Sequence, residues 1–281
     1  MRRRTPLART SVRDALDSAV VALTASGCDT PRLDAEVLLA AAMGVSRATI
    51  VAQPWLELEP DHAWQFAEWA RRRREREPVA YILGSKGFRR LELAVDHRVL
   101  VPRPETEHLV EAALDLPQGA RVVDVGTGSG AVALALKDER PDLEVIGVDV
   151  SEDALDVARA NARRLGLDVT LVAGDLLAPV EGRIDAVVSN PPYVGESEEG
   201  ALPADVIRFE PSVALFAGAD GMDTIQRLVP AVLEAGARFL ALEVGSTQAT
   251  AVAAMMSTAG FTSTEVVADL AGRDRVVVAK R

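Results

Sequence analysis

The feature of this chain that most constrains its fold is an alternation of short apolar runs and helical patterns after residue 120. Arg121–Val125 and Glu144–Val150 are rich in apolar residues and have the length of buried strands. Each is followed by a stretch with the apolar spacing of a helix, Ala131–Lys137 and Ser151–Leu165. This alternation predicts an α/β fold, a doubly wound and mostly parallel sheet with helices on both faces.

Seven strands are predicted for this sheet, and the last two are expected to close it as a pair. They are Arg121–Val125, Glu144–Val150, Val169–Gly174, Ile184–Ser189, Arg238–Val244, Thr262–Ala268 and Arg275–Ala279. Two more helices are predicted on either side of the fifth strand, over Gly221–Glu234 and Ser246–Ala259.

The first part of the chain has a different pattern, so we expect three parts: a helical domain (1–84), a β-hairpin linker (85–103) and the α/β domain (104–281). Cap residues mark three predicted helix starts in the first part: Ser11 before Val12–Ala25, Thr30-Pro31 before Arg32–Met43, and Ser46 before a short helix to Ala52. Asp61 is expected to open a further helix. Strand-like alternation over Lys86–Val101 predicts the hairpin. Pro104 is expected to open a helix that runs to Leu116.

Net charge argues against a nucleic-acid partner. The 281 residues carry a formal charge of −11, whereas proteins that bind nucleic acid through its phosphates are usually basic, so we expect no DNA partner. Positive charge is local, as in Arg71–Arg74 with Arg76. We interpret this run as a solvated helix face balanced by Glu75 and Glu77. The alternative is a docking patch for an acidic partner or ribosomal RNA.

Other totals bear on location and cofactors. No apolar run is long enough to span a membrane, and the basic start Met1–Pro6 has no apolar core behind it, so no export signal is expected. The single Cys28 cannot form an internal disulfide. The three histidines are scattered, and we expect no metal site. The expectation is a cytoplasmic, monomeric protein.

The segment Asn190-Pro191-Pro192-Tyr193 follows a predicted buried strand and carries an unusual set of polar groups. The two prolines have no N–H, so the segment offers mainly acceptors, the Asn190 side-chain oxygen and main-chain carbonyls. Tyr193 adds a flat aromatic face. This combination favours a pocket for a planar NH₂ group. The alternative is an ordinary Pro-Pro turn capped by asparagine.

Three further loops follow predicted strands and suit an adenosine ligand. Gly126-Thr127-Gly128-Ser129-Gly130 is expected to let the main chain approach a ligand and to expose amide hydrogens. Asp149 ends the next strand, where a carboxylate accepts hydrogen bonds from two ribose hydroxyls, although it also suits a helix-flanking acid beside Ser151. Asp175 and Leu176 would contact the adenine amino group and ring. The glycine spacing lacks the pattern of a dinucleotide site or a P-loop, which points to S-adenosylmethionine.

These motifs resemble class I S-adenosylmethionine methyltransferases, which have a Rossmann-like sheet and methylate amide or exocyclic amino nitrogens. Four segments narrow the resemblance to the peptide-chain release factor N5-glutamine methyltransferases, the HemK/PrmC family: Pro78–Gly84, Val99–Glu107, Phe209-Glu210-Pro211 and Asp269–Arg275. One departure lies at Phe88–Leu93, where the family usually shows a different aromatic pattern. It concerns the packing of the hairpin and not the chemistry.

The resemblance implies a substrate and a chemistry. The substrate would be the glutamine of a Gly-Gly-Gln motif in bacterial class I release factors, with S-adenosyl-L-homocysteine as the second product. Asn190 and Pro191 would hold both amide hydrogens, with Asn190 also beside the cofactor, and Pro192 and Tyr193 would flank the amide. Arg103 is expected either to meet a carboxylate or main chain of a ligand, or to pair with Glu105 or Glu107. Glu210 and Glu243 are expected to line the cleft or to be structural.

Three alternatives stay open at this point. A glutamine methyltransferase of a ribosomal protein would have the same α/β domain and a different recognition domain. An adenine-N6 methyltransferase would apply the Asn-Pro-Pro-Tyr segment to a flipped base, against which the net charge argues. A non-catalytic module that binds translation factors would not need the glycine loop, Asp149 and Asn190 together.

Overall fold

A computed structural model describes residues 10–281, which divide into two compact units. The first comprises the described residues up to Gly84 together with Ala204–Phe209. The second comprises Ser85–Pro203 and Glu210–Arg281. The basic stretch Met1–Pro6 discussed above lies outside the described residues.

The first unit is helical, as expected. In residues 10–84 the helices are α1 (Val12–Ala25), α2 (Pro31–Met43), α3 (Arg47–Ala52), α4 (Pro60–Arg74) and α5 (Val79–Leu83). The Ser11 and Ser46 caps are confirmed, because their hydroxyls accept main-chain N–H bonds from Asp14 and Thr49, each at 3.2 Å. The Thr30 hydroxyl instead donates to the Asp34 carboxylate at 2.8 Å. Helix α5 was missed, because a five-residue apolar stretch has too few turns to show helical periodicity.

The arginine run of α4 is structural for most of its length. Arg71 pairs with Glu68 and Glu75, each at 2.7 Å, and Arg72 pairs with Glu77. Arg73 is buried and pairs with Asp34 at 2.7 Å and, in the short helix Ala204–Phe209, with Asp205 at 3.3 Å. Only part of the run therefore faces solvent, and the interpretation of a wholly solvated face is wrong at Arg73.

The second unit begins with a two-stranded hairpin, as expected. Strands β1 (Ser85–Phe88) and β2 (Leu91–Ala94) pair antiparallel. The turn lies at Arg89-Arg90, where Arg89 has a left-handed φ of 52°. This residue is held by its side chain, which donates twice to Glu139 at 2.8 Å and once to Glu111 at 2.7 Å. The expected strand character beyond Ala94 is wrong, since the chain there is irregular.

Most predicted strands and helices of the α/β unit are confirmed to within a few residues. The remaining strands in the described chain are β3 (Arg121–Val125), β4 (Glu144–Asp149), β5 (Thr170–Ala173), β6 (Ala186–Ser189), β7 (Phe239–Glu243), β8 (Ser263–Ala268) and β9 (Asp274–Lys280). They form a seven-stranded sheet within residues 85–281, in the order β5-β4-β3-β6-β7-β9-β8. All pairings from β5 to β7 are parallel, and β9 runs antiparallel to β7 and β8.

The remaining helices of the described residues are α6 (Glu107–Ala113), α7 (Ala131–Glu139), α8 (Glu152–Leu165), α9 (Ala204–Phe209), α10 (Asp223–Glu234) and α11 (Ala249–Ala259). A 3₁₀ turn over Pro104–Thr106 precedes α6, so the helix that Pro104 was expected to open is shorter and ends before Leu116. Helix α9 was not predicted. Valine and leucine side chains of β3, β6 and β7 form the centre of the core, among them Val123, Val187 and Leu240.

We expect Arg73→Ala to lower the free energy of unfolding by about 3–5 kcal/mol, because it leaves Asp34 buried without its guanidinium partner. Arg74→Ala, at the exposed neighbouring position of the same helix, serves as the control and should change it by less than about 0.5 kcal/mol. Urea denaturation followed by circular dichroism measures both. Equal effects of the two substitutions would contradict the buried ion pair.

Candidate active site

The candidate site is a cavity of about 310 Å³ in the second unit, at the carboxyl ends of the parallel strands. Loops that follow β3, β4, β5 and β6 line it, as expected for ligands of doubly wound sheets. Ten of the twelve predicted site residues line it: Gly126, Thr127, Gly128, Ser129, Asp149, Asp175, Leu176, Asn190, Pro191 and Pro192. The other two, Gly130 and Tyr193, are not among its lining residues. The cavity therefore brings together segments that are far apart in the chain.

The glycine loop after β3 is shaped by left-handed backbone at Gly126, Gly128 and Gly130, with φ of 74°, 55° and 83°. A Cβ on Gly128 would meet no heavy atom within 4 Å among the described residues, so the backbone angle is what requires glycine there. Gly130 is the N-cap of α7, and a Cβ there would lie 2.9 Å from Leu134.

The amide hydrogens of this loop are mostly engaged, contrary to expectation. The N–H groups of Gly126 and Thr127 both donate to the Val148 carbonyl, at 2.8 and 3.0 Å. Gly128 N–H donates to the Asp149 carboxylate at 2.8 Å. The loop therefore offers a ligand a surface without side chains, and its amides serve to fasten the loop to β4.

Asp149, at the end of β4, is held by main-chain N–H groups at both carboxylate oxygens. One oxygen accepts from Gly128 and the other from Ser151 at 2.9 Å. Burial raises the pKa of Asp149, and these hydrogen bonds partly offset the effect. Each oxygen retains a lone pair for a further donor. The carboxylate is thus fixed in place at the wall of the cavity.

The loop after β5 places Asp175 and Leu176 on the same wall. Leu176 has a left-handed φ of 52°, and part of its side chain packs on the core. The Asp175 carboxylate is about half exposed and forms an ion pair with Arg227 of α10. The carboxylate that was predicted to accept from an adenine amino group is therefore paired with an arginine, which the sequence did not indicate.

Asn190 lies directly beyond β6 and is part of a chain of polar side chains. Its Nδ2 donates to Thr106 Oγ1 at 3.1 Å, and the Thr106 hydroxyl donates to Glu243 Oε2 at 2.6 Å. Tyr193 donates its hydroxyl to the other oxygen of Glu243 at 3.2 Å. Thr106 and Glu243 are buried, and Glu243 is only 1% exposed. Sequence reasoning had given neither residue a defined role.

Burial governs the protonation of this chain of side chains. It raises the pKa of Glu243, while hydrogen bonds from Thr106 and Tyr193 partly offset the rise. Burial and the neighbouring Glu243 carboxylate raise the pKa of Tyr193. Tyr193 therefore keeps its proton and remains a hydrogen-bond donor at neutral pH.

The segment around Asn190 is anchored on both sides. The buried Ser189 hydroxyl donates to the Val125 carbonyl at 2.6 Å and ties the end of β6 to the end of β3. Gln248 donates to the Tyr193 carbonyl at 2.9 Å. Gly221 has a φ of 76°, and any Cβ there would collide with the same carbonyl. The Pro-Pro turn is therefore rigidly placed at the cavity.

Comparison with known proteins decides the family. The family model described as the PrmC N-terminal domain matches residues 14–84, and the one described as the methyltransferase small domain matches residues 105–208. A release factor glutamine methyltransferase of Koribacter versatilis is 43% identical over 279 residues, which cover 96% of this chain and 99% of that protein. One from Moorella thermoacetica is 43% identical over 281 residues, with the same coverage. The chain belongs to the release factor glutamine methyltransferase family.

The fold of this family member agrees with solved methyltransferase structures. A methyltransferase from Pyrococcus furiosus superimposes with a TM-score of 0.51 at 18% identity, over 68% of this chain and 88% of that one. This likeness, together with the methyltransferase small domain matched at residues 105–208, confirms the predicted class I methyltransferase fold. That the protein is a methyltransferase follows from its membership of the family. Within residues 10–281, no helix is both long enough and apolar enough to cross a membrane.

One side chain that supports the site of this methyltransferase, Asn161, was missed in the sequence. Asn161 of α8 is fully buried, accepts from Ala94 N–H at 2.8 Å and donates to the Ser129 carbonyl at 3.0 Å. It therefore links the hairpin to the glycine loop. The sequence pattern that could have identified Asn161 is its position on the apolar face of the predicted helix. Arg103 pairs with the buried Glu210 at 2.6 Å, so of its two expected roles the pairing with Glu105 or Glu107 is wrong, whereas a contact with a ligand stays a prediction.

Asp124, the acidic residue of β3, was also missed, although it lies two residues before the glycine loop. It is buried and accepts from the Thr127 hydroxyl at 2.6 Å and from Ala133 N–H at 3.2 Å. Burial raises the pKa of Asp124 to about 7, and the charge of Asp149 adds to the rise. The folded protein therefore binds a proton here over a pH range in which the unfolded chain has lost it.

This shift predicts a pH-dependent effect of Asp124→Asn on stability. Between about pH 4 and pH 7 the wild type loses stability at this site as pH rises, because its native state binds the extra proton. The asparagine variant does not titrate there. Its free energy of unfolding relative to wild type should therefore increase from about pH 5 to about pH 8. Urea denaturation at both pH values measures this, and a pH-independent difference would contradict it.

Proposed function

We propose that this methyltransferase transfers a methyl group to the side-chain amide nitrogen (N5) of the glutamine in the Gly-Gly-Gln motif of class I peptide chain release factors. Family membership supports the substrate. The observation that carries the chemistry is the Asn190 amide, whose NH₂ group is engaged by Thr106 and whose oxygen is left to face a ligand. An acceptor fixed in this way at the cavity suits an NH₂ group as substrate.

The residues of the cavity fit S-adenosyl-L-methionine as the methyl donor. A volume of about 310 Å³ is within the range of small-molecule sites. The glycine loop, Gly126-Thr127-Gly128-Ser129-Gly130, would lie against the cofactor, Asp149 would accept from ribose hydroxyls, and Asp175 and Leu176 would contact the adenine. When bound, the cofactor supplies an electrophilic methyl group on a sulfonium, and S-adenosyl-L-homocysteine is its product.

The main task of the protein is to hold a poor nucleophile. The lone pair of an amide nitrogen is delocalised, so orientation contributes a large part of the rate. We propose that the Asn190 side-chain oxygen and the Pro191 carbonyl each accept one hydrogen of the substrate amide. Both acceptors also favour the positive charge that develops on nitrogen during transfer. A strong base is not required beforehand, since the extra proton becomes acidic after transfer.

The flat faces next to these acceptors would confine the amide plane. Pro192 lines the cavity, and Tyr193 is the next residue, half-buried, with its ring fixed by the bond from its hydroxyl to Glu243. We propose both as substrate-binding residues. Because neither proline carries an N–H, the segment has no competing main-chain donor at these two positions.

The other parts of the proposal concern the whole protein. Residues 1–84 would form the recognition domain for the release factor, 85–103 a linker and 104–281 the methyltransferase domain. A cytoplasmic, monomeric protein suits a substrate that is a translation factor. Size-exclusion chromatography with light scattering tests the monomeric state.

The substrate is tested with purified protein and radiolabelled S-adenosylmethionine. We expect label on a class I release factor, and none on the same factor with the motif glutamine changed to alanine, on ribosomal proteins or on DNA. The alanine variant of the substrate is the matched control, since it keeps the rest of the surface. Label on ribosomal protein or DNA in preference to the release factor would contradict the proposal.

Two substitutions should separate amide positioning from cofactor binding. Asn190→Ala is expected to lower kcat at least about 100-fold, because it removes an acceptor needed in the transition state, with little change in cofactor affinity. Asp149→Ala is expected to weaken cofactor binding about 10-fold or more. Steady-state kinetics and isothermal titration calorimetry measure the two effects. The mechanism is wrong if Asn190→Ala retains wild-type turnover.

A further inference from the structure

We infer that Thr106 and Glu243 are positioning residues that fix which way the Asn190 side-chain amide points, an inference that rests on the proposed function. A side-chain amide has two nearly equal ends, and only one of them accepts hydrogen bonds. A clamp for a substrate NH₂ group works only if the oxygen end faces the substrate. The structure removes this ambiguity through a hydrogen bond between Thr106 and Glu243, which are 137 residues apart in the sequence.

The Glu243 carboxylate is the acceptor that sets the direction of these hydrogen bonds. It lies at the end of β7, 1% exposed, and each of its oxygens accepts one hydroxyl hydrogen, from Thr106 and from Tyr193. The 2.6 Å separation between Thr106 Oγ1 and Glu243 Oε2 is typical of a hydroxyl bound to an ionised carboxylate. Burial raises the pKa of Glu243, but the two hydroxyl donors and the charge of Arg275 oppose that rise and favour the ionised form. An ionised carboxylate accepts and never donates, so the direction of both bonds is set.

The bond from Thr106 to Glu243 also fixes the direction of the hydrogen bond between Thr106 and Asn190. A threonine hydroxyl has a single hydrogen, and here it is committed to Glu243. Thr106 Oγ1 can therefore only accept from its second neighbour, 3.1 Å away. The end of the Asn190 amide that faces it must be the NH₂ group. A flipped amide would set two oxygens against each other, so the Asn190 oxygen is held toward the ligand side.

The linker motif explains how Thr106 reaches this place. The 3₁₀ turn Pro104–Thr106 begins with a proline whose fixed φ suits a helical start, and Thr106 is 4% exposed. The charged groups that face Glu243 are Arg275 and Glu105, besides the Tyr193 hydroxyl. Arg275 is itself paired with Asp269 at 3.1 Å. The same carboxylate thus orients Asn190 through Thr106 and holds Tyr193 directly.

Kinetics of Thr106→Val test the inference, since valine keeps the shape of threonine and removes the hydroxyl. We expect kcat on the release factor to fall about 10- to 100-fold, with the affinity for S-adenosylmethionine and the thermal unfolding midpoint close to wild type. Thr106→Ser restores the hydroxyl and should recover most of kcat. Glu243→Gln, whose amide can donate to Thr106 and so reverse the direction, should also lower kcat.

A second readout does not depend on turnover. In ¹⁵N-labelled protein, the side-chain NH₂ signals of Asn190, assigned by their loss in Asn190→Ala, should shift and exchange faster with water in Thr106→Val. They should remain close to wild type in Thr106→Ser and in Tyr193→Phe, which removes only the other bond to Glu243.

The outcomes are distinguishable. Wild-type protein that does not label the release factor overturns the proposed function, and the NMR comparison then still reports on the amide orientation. Active wild type with an equally active Thr106→Val variant overturns the inference alone. A serine variant as impaired as the valine variant, or unchanged Asn190 signals in Thr106→Val, also overturns it.

Discussion

The site depends on the parallel pairing of β3 with β6 at the centre of the sheet. In this register Val125 lies opposite Ser189, so the next residues of both strands leave the sheet at the same edge. The Ser189 hydroxyl reinforces this with its bond to the Val125 carbonyl. A Cβ on Gly126 would lie 3.8 Å from the Asn190 carbonyl oxygen, which shows how close the two loops come. One pairing thus joins the proposed cofactor loop to the proposed amide clamp.

Around that pairing, buried polar groups hold the loops and side chains of the site in fixed orientations. Asp149 is fixed by two main-chain donors, and Asn161 fixes the glycine loop from behind. Glu243 fixes side chains from two distant segments. Each of these groups has hydrogen-bond partners within the protein, so its burial costs little stability. The remaining lone pairs are available to a ligand. Methylation of an amide nitrogen depends mainly on how the amide is oriented, and these fixed groups suit that requirement.

Local patterns predicted the fold and the outline of the site well. Buried β-branched runs marked the strands, and Ser11 and Ser46 marked helix starts, because those signals lie within a few residues. What could not be predicted depends on distant partners. Arg73 is buried only because Asp34 and Asp205 reach it, Thr106 matters only because Glu243 lies beside it, and Arg89 adopts a left-handed turn that its sequence neighbours do not require. The family resemblance supplied the substrate, which geometry alone would not name.

Helix α9 has a consequence for how the protein can be divided. The chain leaves the α/β unit after Pro203, contributes Ala204–Phe209 to the helical unit, and returns at Glu210. The two units are therefore interleaved, and a cut at Gly84 would not separate them cleanly. A fragment that starts at Ser85 would still carry Asp205 but would lack Arg73 and Arg76, its partners. Excision of the α/β unit, or exchange of the helical unit between relatives, would therefore have to move α9 together with residues 10–84.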